Sequence, residues 1–139
     1  MAKTPVSLKV DGLVEREVAS FMMSFFQATD IDGQVTDEPR GGKITLRVKA
    51  LNDGNCDLVC WMTNPKQAYN GTIEFYDTKE NKLMKVVRFK DAYCVEYREY
   101  WSDATKDVEL SHLEDFTISC REISNDGALR FTNTWELVK

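Results

Sequence analysis

Glu17-Val18-Ala19-Ser20-Phe21-Met22-Met23-Ser24-Phe25-Phe26-Gln27 is the stretch on which the fold turns. Split by alternation, both of its subsets are apolar or small: Ala19, Phe21, Met23 and Phe25 in one, Val18, Ser20, Met22, Ser24 and Phe26 in the other. Phe, Met and Ala also suit a helix, so periodicity leaves helix open beside strand. The reading adopted is strand, and a strand with apolar side chains on both faces needs cover on both sides. The same two-faced character returns in Gly71-Thr72-Ile73-Glu74-Phe75-Tyr76, in Val86 through Tyr97 and in Phe116 through Ile123.

The next strand reads differently. Lys43 to Ala50 alternates cleanly, with Ile44, Leu46, Val48 and Ala50 toward a core and Lys43, Thr45, Arg47 and Lys49 toward water. Between these two strands, Ala28 to Gly42 is polar and punctuated by Asp32-Gly33, Pro39 and Gly41-Gly42, which predicts a long connecting loop of the kind that carries function. Upstream, Ser7 to Val10 and Leu13-Val14 flank Asp11-Gly12, a two-residue hairpin signal. Downstream, Asn52 to Asn64 is the one helix candidate, with Asn52, Asp53 or Asn55 to cap it, Asn64-Pro65 to stop it, and Cys56, Val59 and Cys60 at helical spacing. Strands follow through Tyr76, over Leu83 to Phe89, Ala92 to Trp101, Val108 to Leu113, Phe116 to Ile123 and Leu129 to Leu137, the last after an Asn125-Asp126-Gly127 turn. Eight to ten strands around one short helix predict a mainly β, closed barrel or tight sandwich, with residues 1–139 forming a single domain.

Composition narrows the function classes. The 139 residues carry 18 basic and 23 acidic side chains, a net charge of -5 that works against phosphate backbones and anionic lipid surfaces. Neither nucleic acid nor membrane insertion is expected, because no segment is apolar for long enough to span a bilayer. Met1 to Val10 holds no apolar run suited to a signal peptide, so the four cysteines are expected to be reduced and to behave as small apolar residues.

Catalytic and metal-binding patterns are weak. His112 is the only histidine and sits in an alternating segment, so a hydrolase pairing Cys94 with His112 is a distant third reading. Cys56 and Cys60 lack Cys-x-x-Cys spacing and are expected to pack in the core. Asp30-Ile31-Asp32-Gly33 places its glycine too early for a calcium loop and reads as a turn. Asn70-Gly71-Thr72 reads as the start of a hairpin, and the carboxylates Glu96, Glu99, Glu114 and Asp115 as solvated strand faces and turns. No glycine-rich phosphate cradle links a strand to a helix. No catalytic residue, cofactor or metal is expected.

Ser24-Phe25-Phe26-Gln27 through Asp30, Gly33 and Gly41-Gly42, the strand Ile44 to Val48, Trp61-Met62-Thr63-Asn64, Gly71 to Phe75, Phe89 to Tyr97, Phe116 to Ile123 and Asn133-Thr134-Trp135 together have an order and spacing that cover most of the chain. In these the chain resembles the haemolysin-coregulated protein family, Hcp or TssD, the tube protein of bacterial type VI secretion systems, in its Bacteroidetes form. The resemblance implies a closed barrel or sandwich of two antiparallel sheets with one short helix. It further implies a homohexameric ring, with rings stacking into a hollow tube that is assembled in the cytoplasm and expelled through the secretion machine. Sheath, spike and baseplate proteins and carried effectors are the implied partners. Two departures bear on stacking: Gln34, Val35, Thr36, Asp37, Glu38, Pro39 and Arg40 are more acidic than the family's Pro-Ser-rich version, and the chain continues past Trp135. These seven residues are the candidate inter-subunit or ring-stacking loop. The rival from another class is a small monomeric barrel that binds a lipid or other ligand.

Overall fold

The computed structural model describes residues 5–103, 111–125 and 129–133. Its elements, in order, are β1 (Val6–Val10), β2 (Arg16–Phe26), β3 (Arg40–Lys49), α1 (Asp57–Thr63), β4 (Tyr69–Asp77), β5 (Lys82–Trp101), β6 (His112–Ser124) and β7 (Arg130–Thr132). All strand pairs are antiparallel. Neighbours run β3-β2-β1-β4-β5-β6-β7, and β3 also pairs with β6, so six strands close a continuous ring of hydrogen bonds with β7 added at the side. Closure removes the bare edges that a two-faced sheet would otherwise leave.

The inside of the ring is filled by the alternate residues of each strand: Leu8 and Val10, Ile44, Leu46 and Val48, Ile73, Val87 and Phe89, and Phe116, Ile118 and Cys120. Helix α1 adds Leu58 and Trp61. The Trp61 ring stands edge-on to Tyr69 at 5.1 Å and near Phe116 at 6.2 Å, and its Nε1 donates to the Gln67 carbonyl at 3.1 Å. The buried face of α1 is therefore Leu58 and Trp61. Cys56 and Cys60, expected in the core, are exposed, because one short helix buries a single stripe and the bulkier pair occupies it.

β2 is a strand, as read, and a bulge explains its two-faced sequence. Its pairing with β3 slips between Val18 and Ser20. The extra residue, Ala19, lets Val18 on one side of the slip and Phe21 and Met23 on the other all meet the core. Ser20, Met22, Ser24 and Phe26 then face outward and are exposed.

Several boundaries differ from the sequence reading. β2 starts at Arg16 rather than Leu13, since β1 pairs with β2 only at Ser7 and Leu8 while Val10 pairs with Gly71 of β4. Asn70-Gly71 lies within β4, not in a turn: a Cβ on Gly71 would stand 2.5 Å from the Phe89 ring and 2.7 Å from the Lys9 carbonyl, so the glycine admits both. Gly41-Gly42, read as loop, belongs to β3, where Gly42 has φ of 64° and a Cβ there would stand 2.4 Å from the Phe131 ring.

The two strands read either side of Lys90-Asp91 are one 20-residue strand. Asp91 takes φ of 51°, its N–H donates to Asn70 Oδ1 at 2.9 Å, and its carboxylate meets Arg121 at 3.3 Å. The strand bends there instead of ending. β6 likewise merges the two strands read around Glu114, while Val108 to Leu110, Asp126-Gly127 and Thr134 to Leu137 lie outside the described residues.

Candidate functional site

The β2–β3 connection is an ordered arm. Asp30 Oδ1 accepts from the N–H groups of Asp32 and Gln34, both at 2.9 Å. The Asp30 N–H donates to the Gln34 carbonyl at 2.9 Å and that of Gly33 to the Asp30 carbonyl at 3.0 Å, while Thr29 bridges Val35 and Thr36 N–H donates to Ala28. The turn read at Asp30-Ile31-Asp32-Gly33 is thus the tip of a small hairpin, an aspartate-built turn.

Of the candidate loop residues, Gln34, Val35 and Thr36 form the returning side of that hairpin, with Val35 exposed. Asp37 closes the base, accepting from Glu38 N–H at 2.8 Å and from Arg40 Nε at 2.8 Å. The Arg40 hydrogen bond, then the Glu38 N–H, holds the Asp37 carboxyl below its ordinary value. Glu38 and Pro39 are exposed, and Arg40 opens β3 opposite Phe26. Ile31, at the tip, is 100% exposed. Sequence reasoning missed it, although an isoleucine between two aspartates in a turn was the available signal.

Large apolar side chains are left bare on particular strands: Met22 and Phe26 (62%) on β2, and Leu83, Met84 (70%), Val95, Tyr100 and Trp101 (68%) on β5. Tyr100 is partly covered by the Arg47 guanidinium, 5.8 Å from its ring centroid. β3 instead shows water Lys43, Thr45, Arg47 and Lys49, with Arg47 doubly bonded to Asp115 at 2.7 and 2.9 Å.

At the opposite end of β2 from the arm, the wall is tied by charge. Arg16 and Glu114 are buried and paired, Arg16 also reaches the Lys49 carbonyl at 3.4 Å, and Tyr97 donates to Glu114 Oε2 at 2.6 Å. Burial first, then the Glu114 carboxylate, pushes the Tyr97 phenol upward, so it stays a neutral donor. This corrects the reading of Glu114 as a solvated face. Its register with Phe116, Ile118 and Cys120 was the signal for an inward position.

The distant hydrolase pairing is not assembled. Cys94 is buried opposite Ile118 and burial pushes its thiol to about 11, whereas His112 is opposite Trp101 and engages Glu99 at 2.6 Å and Asn52 at 3.2 Å. Burial likewise pushes Cys120 to about 12, so neither inner thiol is a nucleophile at neutral pH. Among the described residues no three His, Cys, Asp or Glu side chains gather to hold a metal ion, and no helix is long and apolar enough to cross a membrane.

Comparison with known proteins places these features. The family profile described as hemolysin coregulated protein Hcp (TssD) matches residues 3–136. Hcp1 from Flavobacterium johnsoniae is 31% identical, with a TM-score of 0.80 over 92% of this chain and 98% of that one. Hcp1 from the E. coli EAEC 042 pathovar is 15% identical, with a TM-score of 0.71 over 96% and 99%. A chain from the sheath-tube complex of an extracellular contractile injection system is 15% identical, with a TM-score of 0.59 over 92% and 90%. No curated protein matches the chain.

Proposed function

The chain belongs to the Hcp (TssD) family of type VI secretion tube proteins, and from that membership we propose that it is a structural subunit whose copies close into hexameric rings. The rings stack into a hollow tube inside a contractile sheath, and the tube leaves the cell through the secretion machine with effector proteins as cargo. Assembly takes place in the cytoplasm, in contact with sheath, spike and baseplate proteins. The observation that carries this reading is the outer face of β2. With the interior filled by Val18, Phe21 and Met23, the strand still presents Met22 and Phe26 to water. Apolar surface left over after the core is complete is the physical basis of association.

A closed ring requires a heterologous contact, one patch on one copy meeting a different patch on the next. Met22 and Phe26 on β2 and the exposed side chains at the two ends of β5, Met84 and Trp101, offer apolar surface for such contacts. Gln34 to Arg40, with the arm they belong to, serve contacts between rings. Light scattering and negative-stain microscopy on the purified protein test the proposal: annular particles are expected, and a monomer at high concentration across salt and pH would overturn it. Deleting Val35 to Pro39 should leave rings and reduce their stacking, and an unchanged distribution of assemblies would remove the loop from that role.

A further inference from the structure

The four cysteines divide into two pairs with opposite surroundings. Cys94 and Cys120 are buried, and burial pushes their thiols to about 11 and about 12. Cys56 and Cys60 are exposed at the start and on the outer face of α1. The Cys60 N–H donates to the Cys56 carbonyl at 2.9 Å, the i to i+4 bond of an α-helix, so the two residues stand one turn apart on the same face.

Neither packing nor capping accounts for this pair. Leu58 and Trp61 already fill the buried stripe of α1. Cys56 holds the N-cap, a position that favours Ser, Thr, Asp or Asn, yet it makes no side-chain bond to the helix, and its Sγ meets only the Gly54 carbonyl at 3.5 Å. The oxygen groups nearby are engaged elsewhere. Thr63 Oγ1 donates to the Val59 and Cys60 carbonyls at 3.0 and 3.3 Å, and Asp57 Oδ2 accepts from Asn55 Nδ2 at 3.1 Å. The face therefore offers two sulfurs, and among the described residues no third His, Cys, Asp or Glu gathers with them. That donor set does not suit zinc, which takes four ligands, or calcium and magnesium, which take oxygen. It suits a soft ion satisfied by two thiolates.

We propose that Cys56 and Cys60 form a chelating dithiol site for one soft, two-coordinate metal ion, Cu(I). The site is complete within one chain and needs no neighbour. Binding forms two Cu–S bonds and releases both thiol protons to solvent, leaving a singly negative bis-thiolate centre with no change in oxidation state, so affinity rises with pH. The test titrates the reduced full chain with Cu(I) under anaerobic conditions against a chromogenic Cu(I) chelator, and counts bound ions by native mass spectrometry. One ion per chain is expected. Cys56→Ser or Cys60→Ser alone should weaken binding by about 100-fold, the loss of a chelating partner. Cys60→Ser combined with Thr63→Cys keeps two exposed thiols but sets them two turns apart, and should weaken binding equally. All three positions are exposed, so these variants should keep the fold. No binding by the parent, one ion shared between two chains, or parent affinity retained by a serine variant or by the two-turn variant would each overturn the proposal.

Discussion

β2 and β3 are partners in one hairpin, yet their outer faces are opposites. β3 shows Lys43, Thr45, Arg47 and Lys49, while β2 shows Ser20, Met22, Ser24 and Phe26. Their inner faces do the same work, with Ile44, Leu46 and Val48 against Val18, Phe21 and Met23. Core packing therefore cannot account for the apolar residues outside β2. A strand that faces water for good spends its outer positions on charge, as β3 does. One that faces another subunit keeps them apolar.

The largest effect should come from the buried ion pair that ties the start of β2 to β6. Glu114→Ala leaves Arg16 buried without its partner and should destabilise the fold by about 3–5 kcal/mol, measured by urea unfolding. Replacing both together, Arg16→Met with Glu114→Leu, should recover most of that loss. Recovery would show that the pair sets register more than stability. Leu46→Ala, on the inner face of β3, should cost about 2–5 kcal/mol. The half-buried Phe21, opposite it on β2, should tolerate truncation better; equal costs would break the comparison.

The outer faces should separate assembly from stability. Met22→Asp is expected to change unfolding by only about 0.5 kcal/mol, in keeping with an exposed site, while dispersing the proposed rings, as followed by light scattering. Thr45→Asp, its pairing partner on β3, should leave assemblies in place. Smaller again, Arg47→Ala should cost under about 1 kcal/mol, since its bond to Asp115 is largely in water. The last effect concerns the arm joining the strands. Asp37 titrates below its ordinary 3.8, so its contribution to holding the arm is complete above that pH and is lost as acid carries it through the lower folded value. Arm resonances followed by NMR should shift only in that acid range, and a shift near neutrality would point to another group.

Legibility followed locality. The β3 alternation, the β2 strand, the Asp30 turn and the helix stop at Asn64 were readable because each depends on neighbours a few residues away. The bend at Asp91 was not, because Asn70 and Arg121 hold it from other strands. The exposure of Cys56 and Cys60 was misread for a related reason: helical spacing marks a stripe, but the space left by Phe116 and Tyr69 decides which stripe turns inward. In the connection between β2 and β3, the more exposed of the two large apolar residues is Ile31, outside the seven candidate residues, and Val35, within them, is half bare.

By itself, the sequence determined a mainly β chain with one short helix, the inward set of β3, and more apolar strand surface than one layer can cover. Alternation and turn chemistry encode these within a few residues of chain. Only the tertiary structure decided that β3 meets β6 to close the ring, that Glu114 turns inward to an arginine 98 residues away, and that β1 and β2 part to leave a seam. Those outcomes depend on register between distant strands and on bulges, such as that at Ala19, that shift which side chains a strand turns to the core.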